Sequence, residues 1–195
     1  MNMTKMLYQS VVLFGACIFV VSCGVDEMRW KEQVRLHNDQ YIYIDRYASR
    51  LKSGFPNSRR GPILDQELRY APLDIIWEVQ DEVPISFEIF DGVAYIAAVP
   101  FQARHKFCIG KPRGAYVARF YRWQQGKLQS IAQDAQPVSR MRMNISGVSQ
   151  WGLTSKGDST YLSWPDVARV TGQREDGPPM LLRDKFAKDE WLHCK

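Results

Sequence analysis

Two pairings of histidine with cysteine are the first residues in this sequence that could do chemistry. His105 stands three residues before Cys108, and His193 is followed directly by Cys194. Two imidazoles and two thiolates make the ligand set of a tetrahedral zinc site. Adjacent ligands strain the geometry around one ion, which counts against that reading for His193 and Cys194. A thiol near an imidazole is also the raw material of a nucleophile and its base. A third reading joins Cys108 to Cys194 in a disulfide that closes a loop of 86 residues. Such a loop stabilises by roughly 4 kcal/mol through the unfolded chain. A fourth leaves both thiols free.

The other candidates are fewer. His37 falls on the polar face of a strand pattern beside a turn, where a solvated imidazole is expected. Asp81 and Glu82 are neighbouring carboxylates of the kind that can divide acid and base roles. Their place in a turn favours surface charge instead. Nothing matches a phosphate-binding glycine loop, a dinucleotide fingerprint, an H-E-x-x-H zinc helix or a G-x-S-x-G nucleophile turn. No catalytic residue, metal or cofactor is assigned.

The N-terminal segment carries the most specific signal. Lys5 is the only charged side chain before Asp26, and Val11 to Val21 is apolar apart from Cys17. That run has the length of a signal-peptide core and falls short of the roughly 20 residues a spanning helix needs. Val20-Val21-Ser22-Cys23 resembles the lipobox of bacterial lipoproteins. The resemblance implies that residues 1–22 are removed as a signal peptide and that Cys23 is lipidated. Acyl chains would then anchor the chain, since each buried methylene contributes about 0.8 kcal/mol. Gly24, where an aspartate would retain the chain at the inner membrane, implies the outer membrane and its periplasmic face. In an oxidising compartment, with Cys23 alkylated, Cys108 and Cys194 read as one disulfide.

Two basic loops follow from the charge pattern. Residues 50–70 hold Arg59 and Arg60 among turn formers, and residues 100–114 hold Arg104, Lys106, Lys111 and Arg113. Such a patch meets an anionic envelope component or an acidic envelope protein. Nucleic acid does not fit an exported chain. The plainer reading is dispersed surface charge.

The elements that must position these residues are mostly strands. The chain has 195 residues, room for one domain or two very small ones, and its 12% aromatic content excludes disorder as the main state. Residues 23–29 read as a tether and 30–195 as one domain. Trp30, Glu32, Val34 and Leu36 share one face of a first strand, and Tyr41–Tyr47 forms the second. Further strands are expected at Leu73–Gln80, Ile85–Phe90, Val93–Val99, Ala115–Trp123 and Lys127–Ala132, with another within 139–146. Asp91-Gly92 and Gln125-Gly126 are hairpin turns. Val93–Val99 is apolar on both faces and reads as a central strand. Ser163-Trp164-Pro165-Asp166 opens a helix that Gly172 ends, and Leu181–Leu192 is a last helix with Leu182 and Phe186 on one face. The sum is a mainly β protein of antiparallel hairpins, a sandwich or open barrel, with one or two short C-terminal helices.

Trp30-Lys31-Glu32-Gln33-Val34-Arg35-Leu36-His37, with the strand Val93–Ala97 after Asp91-Gly92, is similar to small exported β-rich proteins of proteobacteria. Asn38-Asp39-Gln40 stands where those have an aspartate-glycine turn. That resemblance implies a fold and no site. The functional expectation is a membrane-anchored envelope lipoprotein acting as a non-catalytic binding module. The alternatives are an immunity lipoprotein that neutralises a periplasmic toxin, and an envelope hydrolase.

Overall fold

A computed structural model describes residues 24–51, 63–100, 104–147 and 161–195. Among the described residues, nine strands form two sheets. Sheet 1 contains β1 (Val25–Arg35), β2 (Tyr41–Leu51), β3 (Ile63–Tyr70), β4 (Ile75–Glu78) and the short β9 (Tyr161–Leu162). Its order is β4-β3-β2-β1-β9. Sheet 2 contains β5 (Glu82–Phe90), β6 (Val93–Pro100), β7 (Arg119–Gln124) and β8 (Lys127–Ile131), ordered β5-β6-β7-β8. All pairings are antiparallel except the two-residue parallel contact of β9 with β1. The sheets do not close into a barrel. The described residues add the helices α1 (Arg104–Cys108), α2 (Trp164–Val170) and α3 (Leu182–Lys188).

Alternation along β1 places Trp30, Glu32, Val34 and Leu36 inward, the face expected from the sequence. The strand starts earlier than expected. Val25–Arg29 pair with Tyr47–Leu51, so residues 25–29 are strand and not tether. The cause lies in β2, which runs on to Leu51 and offers backbone partners that the polar composition of 24–29 does not advertise. A second difference is β3, which lies inside the stretch expected to be loop. Its inward face carries Gln66 beside Leu68, so a polar residue interrupts the apolar alternation that marks a strand. Leu73–Gln80 divides into a 3-10 turn at Ala71–Leu73 and β4.

The two sheets pack face to face. Val34, Leu36, Ile44, Leu68, Ile75 and Trp77 of sheet 1 meet Phe87, Ala94, Ile96, Ala98 and Tyr121 of sheet 2. The opposite face of sheet 2 is covered too. Phe90, Ala97 and Phe120 pack under Val138, Met141, Met143, Leu182, Phe186 and Leu192. This explains why β6 is apolar on both faces. Residues 139–146 are not a strand. A 3-10 turn over Gln136–Arg140 leads into an extended stretch with one isolated bridge, Arg142 to Leu181.

α2 closes the inner face of sheet 1, where Trp164, Val167 and Ala168 meet Trp30 and Ala48. The helix starts at the expected place with a capping box: the Ser163 side chain accepts from the Asp166 backbone N–H, and the Asp166 carboxylate accepts from the Ser163 backbone N–H. The last helix is shorter than expected: α3 stops at Lys188, and Glu190–Leu192 is a 3-10 turn. Cys108 and Cys194 form a disulfide with Cα atoms 5.4 Å apart. It ties α1 to the C-terminal segment, beside backbone bonds from Gly114 N–H to Cys194 O and from Cys194 N–H to Ala115 O. No helix among the described residues is long and apolar enough to cross a membrane.

Candidate functional site

Among the described residues, one large sheet face is left bare. Sheet 2 is covered on both sides, whereas the outer face of sheet 1 meets solvent. Its residues follow from the strand register. Tyr161, Lys31, Asp45, Arg69 and Ile76 form one row across five strands. Arg29, Tyr47, Glu67 and Glu78 form the next row. Between them runs a groove of about 510 Å³. Toward the β1–β2 turn the same face continues with Gln33 opposite Tyr43, and Arg35 opposite Tyr41.

Tyrosines dominate this surface. Tyr41 is 48%, Tyr43 53% and Tyr161 41% exposed. The Tyr43 and Tyr161 rings lie 6.0 Å apart, and Gln33 Nε2 donates to the Tyr43 hydroxyl at 3.2 Å. Partial burial, followed by its hydrogen bond with Tyr43, holds the Tyr161 phenol above its ordinary range. Guanidinium groups sit on the rings: Arg29 is 4.4 Å from the Tyr47 centroid and Arg35 is 5.8 Å from that of Tyr41. Lys31 pairs with Asp45 at 3.1 Å, and Arg69 pairs with Glu67. Arg29 makes no ion pair among the described residues. Tyrosine and arginine together are the composition of binding surfaces, since both offer large contact area with a polar end.

Beneath this face a buried ion pair fixes the strands. Glu32 and Arg46 are both inside, with Arg46 Nη1 donating to Glu32 at 3.1 Å. Trp30 Nε1 and the Ser146 backbone N–H also donate to Glu32. Arg46 Nη2 reaches Gln66 Oε1 at 3.4 Å, which accounts for the polar residue inside β3.

The residues singled out by type are distributed as follows. His37 is not simply solvated. Its backbone N–H donates to Glu88 at 2.9 Å, its Nδ1 lies 3.2 Å from the same carboxylate, and its ring packs on Phe90 at 4.5 Å. Burial, then Arg140 and Arg142, depress its imidazole below the ordinary value. Glu88 is fully enclosed, and burial pushes its carboxyl up to about 7 against the hydrogen bond from His37. Asn144 completes the cluster, donating to Glu88, Phe87 O and Arg35 O. The pair has acid–base character, but it serves as the joint between the β1–β2 turn, β5 and the extended stretch after the Gln136–Arg140 turn.

Asp81 does lie in a turn, with φ of +60°. Glu82 does not: it opens β5, is buried, and accepts from Arg119 at 2.6 Å and from the Tyr121 hydroxyl at 2.7 Å. The expectation of two surface carboxylates therefore fails at Glu82, because Arg119 and Tyr121 of β7 reach it across β6. The disulfide consumes both thiols of the four-ligand zinc reading. His193 faces backbone instead, near Gly114 O and Phe186 O. Of Arg104 and His105 only the backbone, in α1, is described; Cys23, Arg59 and Arg60 lie outside the described residues. Lys106, Lys111 and Arg113 are exposed together around α1. Lys111 Nζ sits 3.5 Å over the Phe107 ring, and burial followed by Arg119 lowers its pKa.

No known family, curated protein or solved structure matches the chain. The site is therefore read from its own chemistry. Sequence reasoning missed the outer face of sheet 1 as a site. The signal was present in Tyr41, Tyr43 and Tyr47, which recur at even spacing opposite the apolar face.

Proposed function

We propose that this chain is a lipid-anchored protein of the bacterial envelope, held at the outer membrane through Cys23, and that its β domain binds a partner without catalysing a reaction. The observation that carries the binding reading is the bare outer face of sheet 1, with its exposed tyrosines and stacked arginines. The lipobox at Val20–Cys23 supports the anchor. A flat sheet face with one shallow groove fits a folded protein better than a small molecule, which prefers an enclosed pocket. Arg29, with no carboxylate partner among the described residues, on a chain that is basic overall, selects a partner whose contact surface is acidic. Anchoring confines the domain near that partner and raises its local concentration.

Two measurements test the reading. Intact mass of detergent-extracted protein should show residues 1–22 absent and acyl chains on Cys23; an uncleaved chain without acyl mass removes the anchor. A photoreactive residue in place of Tyr43 should crosslink one identifiable protein in cells. The same residue at exposed Lys127 on β8 should not, and Arg29→Glu should abolish the product. Equal products from both positions, or none from Tyr43, would refute the binding face.

A further inference from the structure

We propose that the loop from Lys106 to Arg113 is a membrane-contacting tip that seats on an anionic lipid surface through exposed Ile109 and the cations around it. Ile109 is 76% exposed, more than any other large apolar residue among the described residues. Lys106 in the last turn of α1, and Lys111 and Arg113 in the loop that follows, are exposed. Arg119 adds a fourth cation, 5.4 Å from the Phe107 centroid on which Lys111 also rests. From Gly92 to Gln133 the chain has no aspartate or glutamate. Glu82, a carboxylate that reaches this corner, is already bound to Arg119 and Tyr121. An apolar tip beside Lys106, Lys111 and Arg113, for which no ion pair is seen among the described residues, matches the boundary of a bilayer, where the apolar group enters the acyl region and the cations meet headgroups.

The tip is held and not free to retract. The disulfide to Cys194, the Lys111 N–H to Cys108 O bond at 3.1 Å and the Gly114 N–H to Cys194 O bond at 2.8 Å fix its base. Its position agrees with the anchor. Val25 pairs with Leu51 at one end of sheet 1, and Ile63 pairs with Arg50 at the same end. Ile63 and Asp65 line a small crevice with Asp81 and Glu82, where β5 sets out and, opposite Glu82, β6 finishes at Pro100. The tip follows Pro100. The start of β1 and the tip therefore stand at the same end of the sandwich, whereas the turns at Asn38, Asp91 and Gln125 stand at the other. The proposal is consistent with anchoring at Cys23 but does not require it.

The test is amide hydrogen exchange of the full chain in lipid nanodiscs. Peptides covering 106–114 should exchange several-fold more slowly in discs containing phosphatidylglycerol than in phosphatidylcholine discs. Ile109→Ser should remove the slowing, and Arg113→Glu should weaken it, roughly fivefold for each cation removed. Both positions are exposed, so the disulfide and the circular dichroism of the variants should be unchanged. Equal exchange in the two lipids overturns the proposal, as does slowing that survives both substitutions. Intact mass on the same samples separates this from the anchor. An acylated chain without the slowing overturns the tip and leaves the anchor. A chain without acyl groups that shows the slowing supports the tip and removes the anchor.

Discussion

Glu88 is the residue whose setting has the clearest measurable consequence. Its carboxyl, ordinarily near 4.5, is raised to about 7 by burial. The folded state thus favours the protonated form, so Glu88 stabilises the fold at low pH and that contribution is lost as pH rises from about 4.5 to about 7. His37 acts in the opposite sense just below 6.5, because burial and the neighbouring arginines hold its imidazole neutral. Asp91, Arg140 and Arg142 are the other charges that act on this pair. Glu88→Gln should remove the loss, which is on the order of 3 kcal/mol, or roughly 6–12 °C in melting temperature. Thermal unfolding of both proteins at pH 5 and pH 8 checks this; parallel changes in the two would sink the assignment. None of this was legible in the sequence. Glu88 occupies a polar position in a strand of alternating pattern, and only the fold brings residues 37, 88 and 144 together.

At the scale of elements, the hairpins were the most legible part because their turns declare themselves. Asp91 and Gly92 both have positive φ, +52° and +76°, the conformation a two-residue hairpin with right-handed twist requires. A Cβ added at Gly92 would meet nothing within 4 Å, so Gly92→Ala acts through backbone strain alone. It should destabilise by about 1–2 kcal/mol. Gly147, equally open and without positive φ, supplies the contrast: Gly147→Ala should be neutral or slightly stabilising. Denaturant titration of the two variants decides, and equal losses would mean that the turn is not what Gly92 serves. The helix start at Ser163 was readable for the same reason, as a local signal. β3 was not, because Gln66 is inside only by virtue of Arg46 on β2. The early start of β1 was hidden likewise, since its partners lie across a hairpin. Local chemistry announces turns and caps, whereas pairing between strands decides which polar residues go inside.

For the whole molecule the disulfide is the main covalent constraint on shape. Cys108→Ala with Cys194→Ala should lower stability by roughly 4 kcal/mol, since the bond closes a long loop. Equilibrium denaturation reads the change, and a loss below about 1 kcal/mol would show that the unfolded chain was never restrained. The layered arrangement has a further consequence for synthesis. Sheet 2 is complete once Ile131 has been made, but the residues that roof its outer side, Val138 to Leu192, come later. A growing chain therefore presents Phe90, Ala97 and Phe120 as an open apolar plate until its final third arrives. Ribosome stalling or truncation in that final third would leave a sticky intermediate with its strands already formed. Such fragments should be the natural clients of holding chaperones and the first to be degraded, so nonsense changes late in the gene should be as damaging as early ones.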